Sequence, residues 1–194
     1  MQKEQKDLLN RAIVFAVEKH AGAVRKGTVI PYIVHPLEAL AIASSMTDRQ
    51  EVLAAAVLHD VVEDAGVSRS ELVDRFGERV AELVMAESED KREDEDKSAS
   101  WRTRKEETIA HLRKISNIDV KVIALSDKLS NMRSIYRDYS TIGEDFWNRF
   151  NQKDKSQHGW YYSEMADVLS ELSDTFAWKE YSQLVGIVFE EVTP

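Results

Sequence analysis

The chain of 194 residues contains no cysteine. Disulfides and thiolate chemistry are excluded, including any thiolate-rich zinc site, and a cytoplasmic location is the expectation. Glycine (7) and proline (3) are scarce. There is no glycine-rich phosphate loop, no internal repeat and no alternating strand pattern of useful length. Long apolar runs are missing too. The opening "MQKEQKDLLNRAIVF" mixes charges into its apolar positions, so no signal peptide is expected, and no stretch is long enough to span a bilayer. Positive charge is in deficit: 26 Lys and Arg face 35 Asp and Glu, for a net charge of -9. Nucleic-acid partners are not expected from such a balance, and no membrane partner is expected either. A small anionic ligand would need a local cluster of cations or a metal.

What is present is a chain 43% hydrophobic and 31% charged, the composition of a soluble globular protein. Its length suits one domain over 1–194, with the motifs at about 20–140 and a helical tail at 141–194. Leu9, Ile13, Ala16 and Val17 share one helical face. Pro36 suits the first turn of a helix through "LEALAIASSM". Asp48 with Glu51 predicts a capping box for one helix running through "RQEVLAAAVLHDVVED". Ser68 with Glu71 predicts another, stopped at Gly77. Further helices are expected over "ERVAELVMAE", over "SWRTRKEETIAHLRK" and, capped by Asp119, over "VKVIALSDKLSNMRSIYRDY". The charge run "SEDKREDEDKSAS" reads as a solvated loop. The expected architecture is an all-α, single-domain bundle of roughly eight to ten helices.

The stretch "AAVLHDVVEDAG" places His59, Asp60, Glu63 and Asp64 on an otherwise apolar helix. Residues four apart stack on one face, their Cβ atoms about 5–6 Å apart. Glu63 then lies one turn beyond His59, and Asp64 one turn beyond Asp60. Two distant residues join the argument. His35 lies between Val34 and Pro36 at a helix start, and Asp127 sits in the apolar "VIALSDKLSNMRS". A bare carboxylate there would be expensive to bury. A shared metal accounts for two imidazoles and two carboxylates at once. Such a nitrogen–oxygen set suits Mn²⁺, Fe²⁺ or Co²⁺, and Zn²⁺ can also bind it.

His35, the His59–Asp60 pair and Asp127 resemble the H…HD…D signature of the HD-domain metal-dependent phosphohydrolases. More closely, "RKGTVIPYIVHPLEA", "AAVLHDVVEDAG", "RFGERVAELV" and "ALSDKLSNMR" resemble, in order, the hydrolase domain of the RelA/SpoT family. The resemblance covers roughly residues 5–165 and implies an HD-type helical bundle. It implies a stand-alone small alarmone hydrolase that removes the 3′-pyrophosphate of guanosine tetra- or pentaphosphate. His35, His59, Asp60 and Asp127 would be the ligands of one Mn²⁺ ion. Glu63 and Asp64 would be the acid/base pair that positions and deprotonates the attacking water. Arg25 and Lys26 would contact base or phosphate, and Asn131 the ribose or phosphate side.

Other candidates rest on residue type. Arg104 and Lys105 of "WRTRK" could meet a pyrophosphate, which needs cations in so acidic a protein. Tyr161, with Trp147, Lys155 and Tyr162, could border the nucleotide. His20, His111 and His158 match no motif position and read as surface or capping residues. One segment departs from the family: "ESEDKRED" stands where many guanosine-specific members carry a "TDDK"-like string. Guanine and adenine both stay open as the base. Two further readings stand beside this one: another HD-class nucleotide phosphohydrolase, and a non-catalytic nucleotide-binding protein. The full set of ligands and acidic residues weighs against the last.

Overall fold

The computed structural model describes residues 2–88 and 99–189. They form ten α-helices: α1 Gln2–Lys19, α2 Val34–Ala43, α3 Gln50–Leu58, α4 Val61–Ala65, α5 Arg69–Phe76, α6 Glu78–Glu87, α7 Trp101–Lys114, α8 Ile118–Ile142, α9 Lys155–Val168 and α10 Phe176–Phe189. Short 3-10 turns span Gly143–Arg149 and Ser170–Leu172. Among the described residues the β structure is one isolated bridge, Val24 with Pro31. The fold is all-α, as the sequence suggests. Most of the charge run after α6 lies outside the described residues.

Two helices form the centre. Every residue of α3 from Val52 to Leu58 is buried, and so is every residue of α8 from Asp119 to Asp127. The α3 stretch is apolar all round, has no solvent face and ends up inside, whereas the buried Asp119, Lys121, Ser126 and Asp127 of α8 each have a polar partner. Helix α8 packs against α2, α3, α6 and α10, while α3 packs against α1, α2 and α6. One hydrophobic cluster runs from Leu8 to Val188 and includes the fully buried Leu58, Leu125, Leu129 and Met132. Truncating such a leucine to alanine costs about 2–5 kcal/mol. This apolar frame carries His59 and Asp127, at its edges, into the interior.

The long helix expected through "HDVVED" is broken. Helix α3 stops at Leu58, and His59 and Asp60 form a turn before α4. The His59 ring takes the Ala56 carbonyl at 2.8 Å. That carbonyl is the acceptor that an unbroken helix would offer to the Asp60 N–H. Asp48 does not cap α3; the N-cap is Arg49, whose N–H goes to Thr47 Oγ1 at 3.2 Å. At α8 the cap is Asn117, which accepts from the Asp119 N–H at 3.1 Å. Asp119 is buried instead, held by Arg49 at 2.7 Å and Arg79 at 2.5 Å. Ser68 does cap α5 through the Glu71 N–H, and Gly77 ends it.

The loop between α1 and α2 is tied by Arg25 N–H to Ile30 O at 2.8 Å and Tyr32 N–H to Ala23 O at 2.9 Å. Gly27 turns it at φ 71°. A Cβ at Gly27 would lie 2.8 Å from Arg149 Cδ, so the loop packs closely on that side chain. His20 and His158 are buried rather than superficial. His20 lies against Tyr32, ring centroids 5.0 Å apart, and His158 sits among Trp101, Trp147 and Phe150. His111 is exposed and reaches Ala86 O at 3.2 Å.

Candidate active site

The start of α2, the α3–α4 turn and the middle of α8 bring four groups to one point. His35 Nε2 and His59 Nε2 are 3.2 Å apart. Asp127 Oδ1 lies 3.1 Å from His35 Nε2 and 3.6 Å from His59 Nε2. Asp60 Oδ2 lies 3.4 Å and 3.1 Å from the same two nitrogens. Ligand atoms of His35, His59 and Asp127 all fall within 4.8 Å of one another. An ion about 2.0–2.2 Å from each ligand would set neighbouring ligand atoms about 3.0–3.5 Å apart.

The outer nitrogens fix the tautomers. Ala56 O can only accept, so His59 Nδ1 carries a proton and donates it there at 2.8 Å. Ser130 Oγ lies 2.8 Å from Glu38 Oε2 and 2.8 Å from His35 Nδ1. Its single proton goes to the carboxylate, so the hydroxyl accepts from His35 Nδ1–H. Both Nε2 atoms are then left as acceptors, facing two carboxylates. Acceptors facing acceptors need a cation between them: a proton in the metal-free protein, a divalent ion when one binds. The donor set therefore fits a divalent metal.

The electrostatics agree. Burial works against a charged His59, but Asp60 and Asp127 outweigh it and hold the imidazole well above its ordinary value. Burial works against a charged Asp60, yet His59 and His35 hold it well below the usual carboxylate range. Asp127 is likewise held low against burial, by Lys128 and the two imidazoles. Lys128, the next residue along α8, forms an ion pair with Asp127 Oδ2.

Two cavities of about 370 Å³ each meet here, and Arg25, Tyr32, His35 and Asn131 line both. The first also takes in His59, Asp60, Asp127, Glu63, Arg104, Lys105 and Lys128. The second takes in Lys26, Asp64 and Arg149 with the apolar Ile135, Phe146, Phe150 and Tyr162. Glu63 and Asp64 thus border different cavities, because adjacent helical residues point about 100° apart. Asn131 donates Nδ2–H to Asp127 Oδ1 at 2.6 Å and accepts from Arg25 at 2.8 Å. In this state it joins a loop cation to the acidic group instead of standing open to a ligand. Tyr161 is buried and lines neither cavity; its ring lies 5.0 Å from Lys105 Nζ. Tyr162 takes the cavity position.

Sequence reasoning missed four participants. Tyr32 donates its hydroxyl to Asp60 Oδ2 at 2.6 Å. Burial, with Asp60 and Asp64 nearby, raises its pKa, so it stays a donor. Lys128 and Ser130 flank Leu129 inside "SDKLSN", and Glu38 stands three residues after His35, one turn along the same face. That spacing was the available signal.

Comparison with known proteins decides the family. The HD domain model matches residues 12–154. The chain belongs to the HD-domain family. This HD domain is 36% identical over 141 residues to the guanosine-3′,5′-bis(diphosphate) 3′-pyrophosphohydrolase of Vibrio cholerae, covering 70% of this chain and 19% of that protein. It is 35% identical over 130 residues to the GTP pyrophosphokinase rsh of Brucella ovis, covering 66% of this chain and 17% of that protein. The chain therefore spans less than a fifth of the length of either relative. A solved structure of a metazoan ortholog of SpoT, described as hydrolysing ppGpp, superposes with a TM-score of 0.74 at 26% identity, over 93% of this HD domain and 94% of that chain. No described helix is long and apolar enough to cross a membrane.

Proposed function

We propose that this HD domain is a Mn²⁺-dependent pyrophosphohydrolase. It removes the 3′-pyrophosphate of a guanosine or adenosine tetra- or pentaphosphate, giving pyrophosphate and a 5′-nucleotide. The observation that carries the reading is the pair of Nε2 acceptors 3.2 Å apart, facing two carboxylates at a wall shared by two cavities. His35, His59, Asp60 and Asp127 would hold the ion. Bound there, it would polarise a phosphoryl oxygen and acidify the attacking water.

The remaining work falls to side chains. Glu63, in the cavity that contains the ligand set, accepts the water's proton, a contribution of about 10²–10⁴-fold. Asp64 supports it from the second cavity. Lys128, Arg104 and Lys105 balance the pyrophosphate's charge in an otherwise acidic protein. Arg25 and Lys26, with the aromatic wall at Phe146, Phe150 and Tyr162, hold the base and ribose. The chain acts as one domain, in the cytoplasm.

Chromatography of products tests the assignment. With Mn²⁺, guanosine 5′-diphosphate 3′-diphosphate or its adenosine analogue should yield pyrophosphate and a 5′-diphosphate, while GTP and ATP remain intact. Orthophosphate release from ordinary nucleotides, with both alarmones untouched, would move the protein to the general HD phosphohydrolases.

A further inference from the structure

The family match ends at residue 154, before α9 and α10, yet a continuous line of polar contacts joins α10 to the metal cluster. We propose that Glu180 of α10 is a positioning residue for the metal ligand His35, acting through Arg133, Glu38 and Ser130. The inference rests on the metal-binding part of the reading above.

The links are short and cross three helices. Glu180 in α10 takes both Arg133 Nε, at 2.6 Å, and Arg133 Nη2, at 2.7 Å. This two-pronged geometry fixes the plane of the guanidinium. Arg133 Nη1 then meets Glu38 Oε1 at 3.1 Å. The other Glu38 oxygen takes the Ser130 hydroxyl proton at 2.8 Å, and Ser130 takes His35 Nδ1–H at 2.8 Å. His35 and Glu38 are one turn apart on α2, and Ser130 and Arg133 are one turn apart on α8. The two faces meet where those helices pack.

The chemistry gives the relay a task. A serine hydroxyl can donate or accept. Left without an acid beside it, Ser130 could rotate and donate to His35 Nδ1. The ring proton would then move to Nε2 and block the position a metal needs. An ionised Glu38 claims the hydroxyl proton and keeps Nε2 free. Arg133 holds Glu38 in that orientation, and Glu180 holds Arg133. Partners of this kind, which orient a ligating imidazole, typically change metal affinity by about 10–100-fold when removed.

The test measures Mn²⁺ affinity by calorimetry on the full chain, with melting temperature recorded in parallel. Ser130→Ala and Glu38→Gln should each weaken Mn²⁺ by about 10-fold, and Glu180→Gln by about 3-fold. Glu164→Gln, which breaks the α7–α9 ion pair with Arg113, should leave affinity unchanged. The Ser130→Ala/Glu180→Gln double variant should bind no worse than Ser130→Ala alone, because the relay is already cut. Wild-type affinity in Glu180→Gln would overturn the proposal. So would an undiminished Glu180 effect in the Ser130→Ala background, or a wild-type chain that binds no Mn²⁺. If this pattern holds in a protein inactive on both alarmones, the relay stands and only the substrate reading fails.

Discussion

Asn131 Nδ2 donates to Asp127 Oδ1 at 2.6 Å, one helical turn along α8. The same amide accepts from Arg25 on the α1–α2 loop. It therefore couples the acidic group that faces His35 and His59 to a cation that borders both cavities. Asn131→Ala should weaken Mn²⁺ by about 10-fold and raise KM as well, since Asp127 and Arg25 both lose a fixed partner. Calorimetry and steady-state kinetics check the two effects. A raised KM with unchanged metal affinity would confine Asn131 to nucleotide contact.

Glu63 and Asp64 border different cavities, so their variants should differ. Glu63→Gln should retain fold and metal but lose about 10²-fold or more in kcat, because an amide cannot take the water's proton. Asp64→Asn should lose less. The reverse order, measured at saturating metal, would assign the proton transfer to Asp64.

The fold class and the gathering of His35, His59, Asp60 and Asp127 at one point were legible because the signals were local or chemically costly. Apolar spacing marked the helices, and an aspartate inside "VIALSDKLSNM" demanded a partner. The break at His59–Asp60 was not legible, because it depends on an imidazole reaching back to the Ala56 carbonyl. Nor could the sequence separate Glu63 from Asp64 by cavity, since that depends on how α4 sits after the break. Ser130 and Glu38 look like ordinary helix-surface residues until α2 meets α8. Tyr161 and Tyr162 are neighbours, and only packing decides which one turns to the cavity.

Glu87, at the end of α6, borders the cavity with its Oε1 buried and without a hydrogen-bond partner among the described residues. Burial, opposed by Lys128, pushes its carboxyl up to about 8. Because the folded value lies above the unfolded one, this group's stabilising proton is fully held below the unfolded value and lost as pH rises through about 8. Glu87→Gln should lie close to wild type near about pH 5 and exceed its stability by a margin that grows as pH rises towards about 9. Thermal unfolding of the metal-free protein across that range checks it. A difference independent of pH would contradict it.

Metal should also stabilise the fold. At about 100 times its dissociation constant, Mn²⁺ should add about 2.7 kcal/mol, or about 5–10 °C in Tm for a chain of this size. His59→Ala should lose that increment. An equal rise in the variant would place the ion elsewhere.

Under the proposed function, hydrolysis of the 3′-pyrophosphate would require one ion held by His35, His59, Asp60 and Asp127. The direct measurement is the rate of pyrophosphate release from guanosine 5′-diphosphate 3′-diphosphate and its adenosine analogue, followed as chelated protein is titrated with Mn²⁺. The predicted result is activity on at least one alarmone that rises in proportion to one bound ion per chain and is lost in Asp127→Ala. Pyrophosphate release that persists in the chelated protein, or in Asp127→Ala with no bound ion, would contradict it.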